Sequence, residues 1–380
     1  MKWISKRMWR TRNLKVLSAV SLAQDAASEL LYPILPIFLT TTLGAPVALV
    51  GLIEGCAEAA AAGTKVIAGR LSDQGFRRRW IFAGYSLAAI GKFLVAAAVI
   101  WPIALLGRIV DRIGKGVRGA PRDALLVLDV DRADRGKAIG FHRAADTLGA
   151  VIGPLLGIWI IHVTHGDLRF ALWMALIPAA LSVSLIFLVK DFRQTSAIKQ
   201  PVNQEKLPRE LISLIRWITL FGLVNFPDAL ILLHLHHIGF STMSVVGLYA
   251  AFNAVYALLA YPFGALTDRI APRKLFAIGL FAFAVAYGGM GMTNSKTLSL
   301  FLLLIYGVFA AINDAVGKSW VAKLAPDSAQ GRAQGLFQGL SGGAVLISGI
   351  WAGLAWGSQG SLPLLISGVI ALLVAVRIAR

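Results

Sequence analysis

Cys56 is the only cysteine in this 380-residue chain, so no intramolecular disulfide is available and cysteine usage gives no indication of compartment. Charge is scarce as well: 15% of residues are Asp, Glu, Lys or Arg, against about 25% in a soluble domain. Nucleotide-binding patterns are missing. Gly317-Lys318-Ser319 ends like a phosphate loop, but Ile312 stands where that loop needs glycine, and the Gly-rich run 114–119 follows no strand. ATP therefore has no visible site, which leaves ion gradients as the energy source, and no convergent nucleophile or metal set marks an enzyme. His234, His236 and His237 cluster with no adjoining cysteine or acid and read as interfacial histidines. No cofactor and no metal site is expected.

Apolar surface is abundant: 57% of residues are hydrophobic and the mean hydropathy is +0.72, more than a water-soluble protein is able to hide. Crossing roughly 30 Å of hydrocarbon takes about 20 helical residues. Segments of that kind fall at 16–40, 46–68, 80–99, 101–127, 138–161 and 170–189, then at 213–238, 243–266, 274–292, 298–323, 334–356 and 361–378. The pattern predicts an all-α integral membrane protein of twelve transmembrane helices, six plus six. The fourth and tenth carry the most charge. A polar interval rich in Lys, Gln and Pro divides the chain, giving an N-terminal bundle over 1–189, a linker over 190–210 and a C-terminal bundle over 211–380.

Lys and Arg collect in alternate connections: the N-terminus, 69–79, 131–137, the central linker, 269–274, Arg332 and the C-terminus. By the positive-inside rule both termini are expected in the cytoplasm, as for a protein of the plasma (inner) membrane. The net charge of +18 is then topological and does not imply nucleic-acid binding. The basic N-terminus resembles the start of a signal peptide, but the following stretch is long, holds Asp25 and Glu29 and lacks a small-residue cleavage site, so it reads as a retained first span.

The two halves repeat. Gly69-Arg-Leu-Ser-Asp73 runs into Arg77 and Arg78, and 195 residues later Gly264-Ala-Leu-Thr-Asp268 runs into Arg269 and Arg273. Arg135-Gly136-Lys137 matches Gln330-Gly331-Arg332 at the same offset, and Asp111 to Lys115 is similar to Asp314 to Lys318 at an offset of 203.

These residues resemble the major facilitator superfamily over essentially the full length. That family's loop between its second and third spans reads roughly G-x-L-x-D-R-x-G-R-R, matched by Gly69, Leu71, Asp73, Arg77 and Arg78, with Gln74 and Phe76 as departures. Gly149, Gly153, Pro154 and Gly157 in the fifth span resemble the Gly-Pro motif of the proton-coupled antiporter branch, and they also suit close helix packing. The resemblance implies two pseudo-symmetric six-helix bundles around a central cavity lined by spans one, two, four and five of each half. It also implies that Asp73 faces the start of the eleventh span, where Arg118 or Arg122 would pair with it as a cytoplasmic gate, the counterparts in the second half being Asp268 and Arg273.

Charge inside the spans carries the residue-level case for transport, since an ionisable group at mid-bilayer costs at least about 2.5 to 3.5 kcal/mol and needs a partner or water. Arg108, Arg112, Lys115, Arg118 and Arg122 follow spacings of 4, 3, 3 and 4 and share one helix face, with Asp111 beside them. Asp25 with Glu29, and Glu54 with Glu58, form acidic i, i+4 pairs on the first and second spans. Both pairs are expected to oppose the basic stripe. The fifth span adds His142, Arg143 and Asp146, and the second half Asp228 and Asp314. The expected function is alternating-access secondary transport of a small organic solute by a monomer in the bilayer, coupled to protons and favouring efflux by antiport. Uptake of an organic anion by symport is the alternative within that class; a polytopic receptor or lipid-modifying membrane enzyme is the alternative outside it.

Overall fold

The computed structural model describes residues 11–72, 77–128, 130, 135–190, 207–266, 270–325 and 330–379, and every regular element among them is helical. Nine spans are single helices: the second Val47–Ser72, the third Arg77–Ala97, the fourth Trp101–Leu128, the fifth Arg135–Val163, the eighth Thr242–Leu266, the ninth Pro272–Met292, the tenth Lys296–Leu324, the eleventh Gln330–Leu354 and the twelfth Ser361–Ala379. The other three are interrupted. Among the described residues, nine helices are long and apolar enough to cross a membrane. The seventh span is not in that set because its break leaves two short helices, and the first and fourth are not because of their charges.

Each interruption has a local cause. In the first span Arg12–Leu31 stops before Pro33, whose missing N–H and ring oppose a continuing helix. The chain resumes as Leu35–Ile37 and a π-helical turn Phe38–Thr42, and the Thr40 and Thr41 hydroxyls donate to the Pro36 and Ile37 carbonyls at 3.0 and 2.7 Å. The sixth divides into Leu168–Met174 and Leu176–Leu185 just before Pro178, and ends in the 3₁₀ turn Ile186–Leu188. The seventh divides into Arg209–Gly222 and Asp228–His237. Its open stretch is tolerated at membrane depth because protein donors satisfy it: Trp351 Nε1 donates to the Leu223 carbonyl at 2.7 Å and Ser348 Oγ to the Asn225 carbonyl at 3.2 Å.

Spans one to six form one bundle and spans seven to twelve the other. Within them the third packs on the fourth, the first on the fifth, and the ninth on the tenth and twelfth; between them the second meets the eleventh and the fifth meets the eighth. Small residues set these approaches. A β-carbon at Gly91 would fall 2.7 Å from the Asp111 Cβ, and one at Gly149 or Gly153 would fall 2.5 Å from the Leu22 or Ala26 carbonyl oxygen. Gly149 and Gly153 are therefore contact points between the fifth and first spans, Pro154 is buried beside them, and Gly157 meets only ordinary side-chain contacts. The outer wall carries exposed apolar side chains such as Leu258, Trp159, Leu373 and Phe281, as lipid requires.

The ends of the helices define two faces. The terminal face holds the helix ends at Arg12, Ser72, Leu128, Leu188, Leu266, Leu324 and Ala379; the opposite, far face holds short turns. Asp73, Asp268 and most of the linker lie outside the described residues, as do the surroundings of Gly69 and the side chains of Asp314 and Lys318.

Candidate functional site

The fourth span carries its charges at the centre of the first bundle. Arg108 donates through Nε and Nη2 to the two oxygens of Glu54, both at 2.7 Å, a bidentate pair in which each side chain is only 2% exposed. Its Nη1 reaches Asp111 Oδ2 at 3.3 Å, and the other oxygen of Asp111 accepts from Lys92 Nζ of the third span at 2.6 Å. One turn along, Arg112 Nε lies 3.4 Å from Glu58 Oε1 without the alignment of a hydrogen bond, and the Glu58 side chain is 39% exposed. Two acids at i, i+4 on the second span thus meet two arginines at i, i+4 on the fourth. Charges cancel within this ladder, so the basic stripe presents little free positive charge at Arg108 and Arg112.

Further along the stripe the environments diverge. Lys115 is exposed and has no ion-pair or hydrogen-bond partner among the described residues. Arg118 is buried with its guanidinium 4.6 Å from the centre of the Tyr85 ring. Arg122 bonds Asp123 at 2.9 Å and Ser21 Oγ at 2.9 Å. In the fifth span His142 Nε2 and Asp146 Oδ1 stand 3.7 Å apart, and Arg143, largely exposed, is 4.0 Å from the second Asp146 oxygen.

The first-span acids make no ion pair with the stripe among the described residues. Glu29 accepts a 2.5 Å hydrogen bond from the Tyr249 hydroxyl of the eighth span, a link between the two bundles. Asp25 has no hydrogen-bond or ion-pair partner among the described residues; Asp146, Glu29, Lys115 and Arg118 are the charges within its reach. In the second bundle Asp228, in the first turn after the break in the seventh span, accepts from the Tyr306 hydroxyl at 2.5 Å.

The bundles meet toward the far face. The second span lies against the eleventh from Ala48 and Gly353 through Gly51 and Gly349 to Ala62 and Gly342, and the fifth touches the eighth where Gly157 meets Val246. Half-exposed polar groups at Asp25, Glu29 and Glu58 continue toward the terminal face.

The sequence profile of the Major Facilitator Superfamily matches residues 17–255 and 212–380. The chain belongs to this family. It is 28% identical over 373 residues to an MFS-type transporter of Methanocaldococcus jannaschii, covering 96% of this chain and 93% of the relative. It is 23% identical over 325 residues to the multidrug resistance protein MdtH of Yersinia enterocolitica, covering 82% and 78%. Among solved structures, the nucleoside transporter NupG superposes with a TM-score of 0.77 at 15% identity, covering 97% of this chain and 98% of that one. A D-xylose-proton symporter superposes at 0.75 and 15%, covering 97% of each. The protein is accordingly an integral membrane transporter of the Major Facilitator Superfamily and not an enzyme.

Within that family fold, the second-span acids meet the basic stripe as close pairs, whereas the first-span acids have Lys115 and Arg118 within reach and make no ion pair among the described residues. Glu54 and Glu58 meet the stripe, whereas Glu29 turns to the other bundle. The loop-signature arginines have helix ends as their partners: Arg78 donates to the Phe187 carbonyl at the end of the sixth span at 3.1 Å, and Arg273, its counterpart 195 residues on, donates to the Ile378 carbonyl at the end of the twelfth. Arg77 opens the third span. His234 is not interfacial: it is fully buried, with Nδ1 2.6 Å from the Gln359 carbonyl oxygen. No His, Cys, Asp and Glu grouping suited to a metal occurs among the described residues. Lys92 and the tyrosines 32, 249 and 306 were missed by the sequence reading. A lone lysine inside the apolar run 80–99 was the available signal for Lys92; the tyrosines gave none.

Proposed function

We propose that this transporter moves a small organic solute by alternating access and couples that movement to protons, with export by antiport as the working direction. The reading assigns bundle boundaries at 1–189 and 211–380, places the terminal face in the cytoplasm, and makes the arrangement described here the inward-open one. The observation that carries it is the Tyr249–Glu29 hydrogen bond. It joins the bundles through a carboxylate one turn from the unpartnered Asp25, so a proton arriving at this pair changes a contact that must break when the bundles rock. An ionised acceptor makes the stronger bond; protonation weakens the link and favours the far-open arrangement. The neutralised ladder of Glu54, Arg108, Asp111 and Lys92 keeps the first bundle rigid during that motion. Asp73 with Arg118 or Arg122 remains the proposed cytoplasmic gate.

A thermal-shift screen of purified protein against metabolites and drugs supplies a working solute, because a ligand of the folded state raises its melting temperature. In proteoliposomes containing a pH dye, that solute should drive proton movement in the wild type. Asp25→Asn and Glu29→Gln should insert normally and lose at least about tenfold in coupled flux, the effect of about 1.4 kcal/mol. Solute flux at the wild-type rate in both variants, or flux without proton movement in the wild type, rejects the coupling.

A further inference from the structure

A small recess lies in the second bundle at the junction with the first, and is lined by Asp228, Ile231, Tyr249, Phe252, Leu303 and Tyr306. Its aromatic members continue as a ladder. Tyr32 of the first span lies 5.4 Å from Tyr249, Tyr249 stacks on Phe252 at 6.0 Å, and Phe252 stacks on Tyr306 at 5.3 Å. The two tyrosines that flank Phe252 each hold a carboxylate through a 2.5 Å hydrogen bond, Glu29 at one end and Asp228 at the other. Neither acid has a cationic partner among the described residues. The buried arginines do not supply one, because Arg108 is committed to Glu54 and Asp111, Arg112 lies against Glu58 and Arg118 lies over the Tyr85 ring. Lys115, which has no ion pair among the described residues, has Asp25, Glu29 and Glu58 as the acids within its reach.

From this geometry we infer that the transported solute is an organic cation with an aromatic apolar body, seated on the Tyr249–Phe252–Tyr306 wall between Glu29 and Asp228. A cation over aromatic faces gains from the ring quadrupoles, most when desolvated, and the flanking carboxylates complete the charge balance. An anion placed there would meet the carboxylates of Glu29 and Asp228, neither of them held in an ion pair among the described residues. This reverses what the basic stripe alone suggests, and it rests on the transport reading above while being tested without it.

Equilibrium binding to purified protein in nanodiscs, with no gradient present, should show saturable binding of tetraphenylphosphonium and none of its charge-inverted isostere tetraphenylborate above the empty-nanodisc level. Asp228→Asn should weaken tetraphenylphosphonium binding at least tenfold, Phe252→Ala severalfold, and Tyr306→Phe, which keeps the ring, less than either. Monodisperse elution and a wild-type helical circular dichroism spectrum exclude misfolding, and Tyr306→Phe keeps the comparison alive should Asp228→Asn fail to fold. Equal binding of the two isosteres, or unchanged tetraphenylphosphonium binding in Asp228→Asn and Phe252→Ala, overturns the inference. Cation binding without proton movement in the liposome assay would reject the coupling alone.

Discussion

Arg108 shows how a membrane interior stores charge. It makes three hydrogen bonds to two carboxylates, and Lys92 supplies the fourth charge, so no ion in the cluster is left alone. Removing one member of a buried pair costs about 3 to 5 kcal/mol because its partner stays buried without compensation. Glu54→Gln should therefore lower the melting temperature of the detergent-purified protein well below that of Lys92→Met, since Asp111 retains Arg108 when Lys92 is lost. Equal melting temperatures for the two variants would contradict this ranking. The ladder itself was legible from sequence: two i, i+4 acidic pairs and an arginine stripe at matching spacing leave few ways to neutralise one another. Which acidic pair it would take was not legible. Asp25 and Glu29 have the same spacing as Glu54 and Glu58, and only the rotation of the first span toward the eighth decides that Glu29 meets Tyr249.

At the level of elements, the repeated loop signature acquires a shared task. Arg78 and Arg273 occupy equivalent positions in the two repeats, and each donates to a carbonyl in the last turn of its bundle's final span, the sixth or the twelfth. Those carbonyls lack intrahelical partners and carry the negative end of the helix dipole, so a guanidinium there stabilises by about 0.3 to 1 kcal/mol. Arg78→Ala and Arg273→Ala should each lower stability by about that amount, and the double variant by their sum, because the sites lie in different bundles. A strongly non-additive double variant in the same thermal assay would show the two ends to be coupled. All twelve spans were readable from hydropathy and length. The breaks in the first and sixth were not placed, since Pro33 and Pro178 leave open whether a helix kinks or unwinds; Pro227, beside Asn225 and Asp228, marks where the seventh loosens but not how far it unwinds. Tertiary donors such as Trp351 and Ser348 settle the seventh.

For the whole molecule, the decisive surface is the seam between the second and eleventh spans. Gly51 and Gly349 bring the two backbones together so closely that a β-carbon on either would overlap the other's carbonyl. A seam of glycines seals well but is held by no ion pair among its described contacts, which suits a closure that must open and reform. Gly349→Val forces the backbones apart and shifts the population toward the far-open arrangement, in proportion to the free energy lost from the closed one. Ala48 packs against Gly353 in the same seam. In a Cys56→Ser background, a cysteine replacing Ala48 should react with a membrane-impermeant maleimide from the far side several times faster when Gly349→Val is present. An unchanged labelling rate would mean that the far side is held shut elsewhere, at the fifth and eighth spans or by the Tyr249–Glu29 link. Repeating the measurement with Tyr249→Phe separates these two, since only the link is lost in that variant.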